Sequence, residues 1–271
     1  MGKISTQAKA RYLERIKNYK QIIEHNKIQE KALLKEIQAA SENSGIRRIE
    51  AAEQVLNRVS YFVLMNLLSV SLLGVKNEGF LNEARKDIYK SIIYLEEAVS
   101  NYIDVPFSEY EEKLETLQEL SDEARYALLQ KLGFAIQSVK DGFGENTKWK
   151  WSFVEIEGRF ATITKNLVNL KTVVSGMDPR VEGYEKRIAH IQLVEQSLSL
   201  AADRYREKYE LSTLRIDDFK LAINYLSALR RLMVLIGQTE KAEQLRKKID
   251  VWKNKMETDL KNLDKKKKSP T

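Results

Sequence analysis

At 271 residues, with 43% hydrophobic and 31% charged positions, the chain has the length and balance of a folded protein rather than a disordered one. It has no Cys, which excludes disulfides, thiolate nucleophiles and Cys-based zinc sites, and its 11 Gly and 3 Pro are too few for a turn-rich sheet protein. The formal charge of +7 sits at the ends: residues 1–41 carry nine Lys/Arg against four Glu, residues 253–271 carry seven Lys against three acids, and the span between is slightly acidic. A nucleic-acid-binding domain would carry its basic excess on the folded body, so no nucleic-acid partner is expected.

The first fifteen residues are polar and lack the apolar centre of a secretory signal. A first helix follows with a narrow apolar seam, Tyr12, Ile16, Tyr19 and Ile23, then polar Asn26 and Glu30, then Leu33 and Ile37. Asn43-Ser44-Gly45 carries the residues of a helix C-cap. Next come 17 uncharged residues between Arg58 and Lys76. A membrane span needs roughly 20 apolar residues, and this stretch contains Ser60, Asn66, Ser69, Ser71 and Gly74. It predicts a central helix buried on all sides, with no membrane partner.

Gly74 and Asn77-Glu78-Gly79 end that helix, and Pro106 ends the following one, because the residue before proline resists α geometry. Glu109-Tyr110-Glu111-Glu112 reads as first-turn acids that complement a helix dipole. Asp141-Gly142-Phe143-Gly144 predicts a loop. Beyond it, Trp149, Phe153, Ile156, Phe160, Ile163, Leu167, Leu170 and Val174 alternate in steps of three and four, a heptad seam predicting one long helix packed side by side with its neighbours. Trp151 is turned about 160° from Phe153 at ~100° per residue. It therefore either packs against a second layer or stands exposed as a protein anchor.

Gly176-Met177-Asp178-Pro179 predicts a stop followed by an N-cap at Asp178 with Pro179 in the first helical position. The next seam runs Tyr184, Ile188, Ile191, Leu198, Ala202, Tyr205 and Tyr209, broken at Glu195. Phe219–Trp252 predicts a helical hairpin turning at Gly237 that resembles one tetratricopeptide-type unit, with Leu226, Leu229 and Glu240-Lys241-Ala242. Arg230 stands where that pattern has a small residue and Asn254 where it has Pro, and the unit does not repeat. The last helix carries Leu245, Ile249, Trp252, Met256 and Leu263.

The fold class is therefore all-α, an elongated bundle of about seven or eight long amphipathic helices with coiled-coil-like packing. The expected division is an N-terminal arm over 1–104 including the apolar helix, a bundle over 105–264, and a basic disordered tail over 265–271.

Chemistry is sparse. His25 and His190 each lack a second His at i+3 or i+4, and no Walker loop, dinucleotide fingerprint or nucleophile elbow is present. No catalytic residue, cofactor or metal is expected, and the function expected is non-enzymatic, through contacts with other proteins. The residues expected to bind partners are Trp151, Trp149, Trp252 and the run Lys265, Lys266, Lys267 and Lys268.

In its size, helical Cys-free character and the segments Lys148-Trp149-Lys150-Trp151-Ser152-Phe153-Val154-Glu155 and Asp203-Arg204-Tyr205-Arg206-Glu207-Lys208-Tyr209-Glu210, the chain resembles the spirochaete periplasmic flagellar sheath proteins, the flagellar-coiling family. That resemblance implies a sheath subunit in the periplasm, with flagellar core or sheath proteins as partners, self-association, and an influence on filament curvature and motility. Without it, the readings are a cytoplasmic hairpin adaptor or scaffold and a curved, peripheral membrane-binding bundle.

Overall fold

The computed structural model describes residues 5–39, 44–145 and 148–268, with side chains as far as Asn262. Among the described residues the regular structure is all helical, with no strand. Helices α1 (Thr6–Ala39), α2 (Ser44–Leu73), α3 (Glu78–Ala98), α4 (Glu111–Glu115) and α5 (Asp122–Phe143) precede α6 (Lys150–Asn166). There follow α7 (Leu170–Ser175), α8 (Tyr184–Lys208), α9 (Ile216–Leu235) and α10 (Thr239–Lys268). The chain groups into two compact units, Met1–Asn101 with Tyr110–Ile156, and Tyr102–Glu109 with Glu157–Thr271.

The sequence offers a boundary at Val105 and a second candidate at 141–147; the loop around Val105 groups with the second unit. The Asn166 side chain donates to the carbonyl of Tyr102 at 3.1 Å, and Arg231 holds Asp104 at 2.9 Å. The later crossing lies inside α6, which gives Lys150–Ile156 to the first unit and its remainder to the second.

In the first unit α1, α2 and α3 are long, successive and joined by short connections, so they pack as antiparallel neighbours. Val55, Val59 and Met65 of α2 and Leu81, Ala84, Ile88 and Ile92 of α3 are completely enclosed. Burying each large aliphatic side chain contributes about 1.5–3 kcal/mol. Asn77 caps α3 by accepting from the Phe80 amide at 3.2 Å. Gly45, expected in a C-cap, instead lies in the first turn of α2. There a Cβ would come within 2.5 Å of the Thr116 hydroxyl, so the missing side chain admits the loop after α4. Gly142, expected in a loop, lies within α5, its Cα turned towards Leu81, and the helix ends at Phe143 with Gly144 as its cap.

In the second unit the predicted long seam is interrupted. α6 ends at Asn166, and Asn169 accepts from the amides of Lys171 and Thr172, capping a new short helix, α7. Asparagine competes with the helix for its own backbone amides, which is why the heptad does not continue. Val173 takes the inward place and Val174 is 69% exposed. Ala161 to Val168 are buried all round, beyond what a one-sided seam predicts.

α8 begins at Tyr184, not at Pro179: Asp178 accepts from the Arg180 amide and guanidinium within a turn. Val194 fills the seam at the point where Glu195 had suggested a break. A π-helical turn, Tyr209–Thr213, closes α8. Tyr205 stacks on Tyr225 at 5.5 Å, and a Cβ on Gly158 would meet both rings. Gly237 lies in the three-residue turn between α9 and α10, as the sequence predicts.

Two buried arginines anchor loops. Arg125 donates to the carbonyls of Leu120 and Leu117 at 3.0 and 2.6 Å. Arg187 donates to those of Gly176, Val181 and Glu182 at 3.2, 3.3 and 2.7 Å.

Candidate interaction surface

The most distinctive surface belongs to α2, and its orientation is fixed from inside. Arg58, 2% exposed, donates to Asp87 through Nε and Nη2, both at 2.9 Å, and to Glu30 at 2.8 Å. The other Glu30 oxygen accepts from the Tyr94 hydroxyl at 2.7 Å and pairs with Lys90 at 2.6 Å. Three helices therefore meet at one enclosed cluster of charges. Burial opposes ionisation of Glu30, but hydrogen bonds from Lys90 and Tyr94 and the charge of Arg58 outweigh it and hold its carboxyl below the usual range. Burial, then the hydrogen bond to Glu30, pushes the Tyr94 hydroxyl well above its ordinary value.

Along the same face, Asn66 accepts from the Asn77 amide and Ser69 donates to the Val75 carbonyl, both at 2.8 Å. With Arg58, Asn66 and Ser69 turned inward, the opposite face carries Ser60, Leu64, Leu67 and Ser71, all exposed. Leu64 is 40% and Leu67 54% exposed, with Val70 beside them at 46%. The expectation that this helix is buried on all sides is thus corrected: less than half of its most apolar stretch is buried. The reason is that α1, α3 and α5 cover one side of it, and the other side faces outward. By length and composition alone, α2 is also long and apolar enough to cross a membrane.

The residues named from sequence fall differently. Trp252 is 3% exposed, 5.9 Å from the ring of Phe219 and with Arg206 over its face, so it is corrected from a partner anchor to an internal packing residue. Trp149 is half-buried beneath the Arg85 guanidinium, 3.8 Å from its ring, and lies 6.4 Å from the ring of Phe143. Trp151 is also half-buried, with the Lys150 ammonium 4.7 Å from its ring. The backbone of Lys265–Lys268, where the sequence suggests a disordered tail, is drawn as a continuation of α10, and lysine readily propagates a helix already formed. The side chains of Lys265, Lys266, Lys267 and Lys268 lie outside the described residues.

Other polar features are structural in geometry. His190 is buried with Nε2 2.8 Å from the Thr164 carbonyl, and His25 is exposed. Among the described residues no group of three or more His, Asp or Glu is placed to hold a metal ion. An open cleft of about 400 Å³ is lined by Ile46, Arg47, Glu50, Glu115 and Glu119. Its Arg47 is engaged by Glu36 and Glu50 at 3.3 and 2.8 Å.

Lys165 is buried in the second unit. Burial pushes its amine down to about 8, Asp104 opposes the shift and Arg231 reinforces it. The folded chain thus binds fewer protons here than the unfolded chain between about pH 8 and the ordinary lysine range, so stability rises with pH across that window. Lys165→Met is expected to raise the urea midpoint at pH 7, with the advantage shrinking between pH 8 and 10. An equal midpoint shift at every pH would show that charge burial is not its source.

The chain matches the TP0443 family over residues 8–260 and belongs to that family, one with a Treponema name and a spirochaete association. Neither curated proteins nor solved structures yield a match.

Proposed function

We propose that the chain is a non-enzymatic assembly protein that acts by binding other proteins, and that it serves in the periplasmic flagellar sheath, where it influences filament curvature and motility. The observation that carries the proposal is the exposed, uncharged face of α2, held outward by the Glu30–Arg58–Asp87 cluster on its other side. Contiguous apolar surface of this kind marks contact sites in folded proteins. The spirochaete association of the family supports the finer part, and its partners would then be flagellar core or sheath proteins.

The test uses a spirochaete that encodes the chain. Purified periplasmic flagella are expected to retain it, and deleting its gene is expected to change filament curvature and slow swimming. Recovery away from the filaments, with curvature unchanged after deletion, would overturn the flagellar assignment.

A further inference from the structure

The exposed face of α2 has an order that points to its occupant. Ser60, Leu64, Leu67 and Ser71 follow one another in steps of four, three and four. The pattern reads the same from either end, and its centre is the Met65–Asn66 peptide. Val63 and Leu68, both half-exposed, are symmetric about the same point. Two copies of such a helix laid antiparallel would place Leu64 against Leu67 twice at the centre and Ser60 against Ser71 at each end. The small serines permit close approach of the two backbones, and the leucines fill the middle.

Charge fits the same arrangement. No residue between Arg58 and Lys76 is charged, so along the two facing stretches of α2 a twofold axis opposes no like charges. Arg58 itself is turned into the unit by Glu30 and Asp87. A helix that lies on lipid ordinarily flanks its apolar face with lysine and arginine, and this stripe has neither. We infer that the outward face of α2 pairs with the same face of a second copy of this chain, antiparallel about a twofold axis at Met65–Asn66. This pairing rests on the reading of the chain as a protein that works by contact, and it gives that contact a register.

Ser60 to Ser71 spans about 16 Å at 1.5 Å per residue. The handful of residues on this face is few beside the roughly 20–30 a side of a standard interface, so the pairing is weak and is seen only at high concentration. The absence of Cys from the chain allows a direct test. Ser60→Cys and Ser71→Cys are made separately, and a short thiol crosslinker is added to each alone and to their mixture. The mixture is expected to give at least ~10-fold more linked dimer than either alone, since identical positions in the antiparallel pair lie about 16 Å apart. Leu67→Lys, at an exposed site, is expected to leave the melting temperature of the dilute, monomeric chain unchanged and to weaken dimerisation in sedimentation velocity by roughly tenfold or more.

Self-linking of Ser60→Cys alone, as strong as in the mixture, would overturn the antiparallel register. A wild-type chain that stays monomeric yet is retained in purified flagella would overturn the pairing and leave the assembly role standing. A monomer that co-sediments with phosphatidylglycerol–phosphatidylcholine vesicles, and loses them on Leu67→Lys, would assign the face to lipid and overturn the pairing.

Discussion

Replacing Arg58 with methionine is expected to lower the unfolding free energy by about 3–5 kcal/mol, the cost of leaving a buried charge without its partner. The side chains of Arg58 and Glu30 are 2% and 4% exposed, so solvent cannot take over the interaction when the guanidinium is removed. Most of the loss comes from Glu30, whose carboxylate would keep Tyr94 and Lys90 but face apolar surroundings where Arg58 had been. Combining Arg58→Met with Glu30→Gln is therefore expected to cost clearly less than Arg58→Met alone, and urea titration of the four chains measures the difference. Additive losses would show that the two groups do not interact. The same cluster sets an acid limit. Because the folded state holds the Glu30 carboxyl below its unfolded value, its contribution is complete above the unfolded value near 4.5 and disappears as pH falls through the lower folded value. Arg58→Met should flatten the acid limb of the stability profile as well as lower it.

In the second unit the largest effect is expected at Phe219. Its ring is fully buried, stacked on Tyr209 at 4.9 Å and tilted against Trp252 at 5.9 Å. Phe219→Ala would empty the centre of this aromatic group and is expected to cost about 3–5 kcal/mol. Tyr209 would lose its stacking partner while keeping its 2.8 Å hydrogen bond to Asp259. Phe219→Leu fills most of the space and should recover a large part of the loss. Equal destabilisation by the two substitutions would point to the rings' edge and face contacts, and not to the cavity. Far-ultraviolet circular dichroism in denaturant gives both values.

Helix content was legible in the sequence because it depends on local periodicity and on scarce Gly and Pro. The heptad positions Phe153, Ile156, Ile163 and Leu167 are buried as the spacing requires. Its end was not legible, because Asn169 reads as one more polar position until its side chain is seen capping the next helix. Glu30 carried a signal that was available: a carboxylate at a seam position, between Ile23 and Leu33, calls for a buried cation. That cation is Arg58, 28 residues away, and distances of this kind cannot be read from one helix alone. The same limit hid the exposed leucines of α2. A run without charge looks buried on all sides, and only the placement of α1, α3 and α5 shows which side they leave uncovered. Trp252 misled for the opposite reason, since its residue type suggests an interface whereas Phe219 and Arg206 enclose it.

The guanidinium groups of Arg125 and Arg187 bear on how this protein can change over time. Every residue type offers a main-chain carbonyl, so the loops these arginines hold can exchange their side chains freely without losing the anchor. The arginines themselves have no such freedom. Lysine presents a single ammonium in place of a planar fork, and could not reach carbonyls on Leu117 and Leu120, or on Gly176 and Glu182, from one fixed position. Drift in these segments should leave two fixed points, each an enclosed arginine beside a loop of variable sequence.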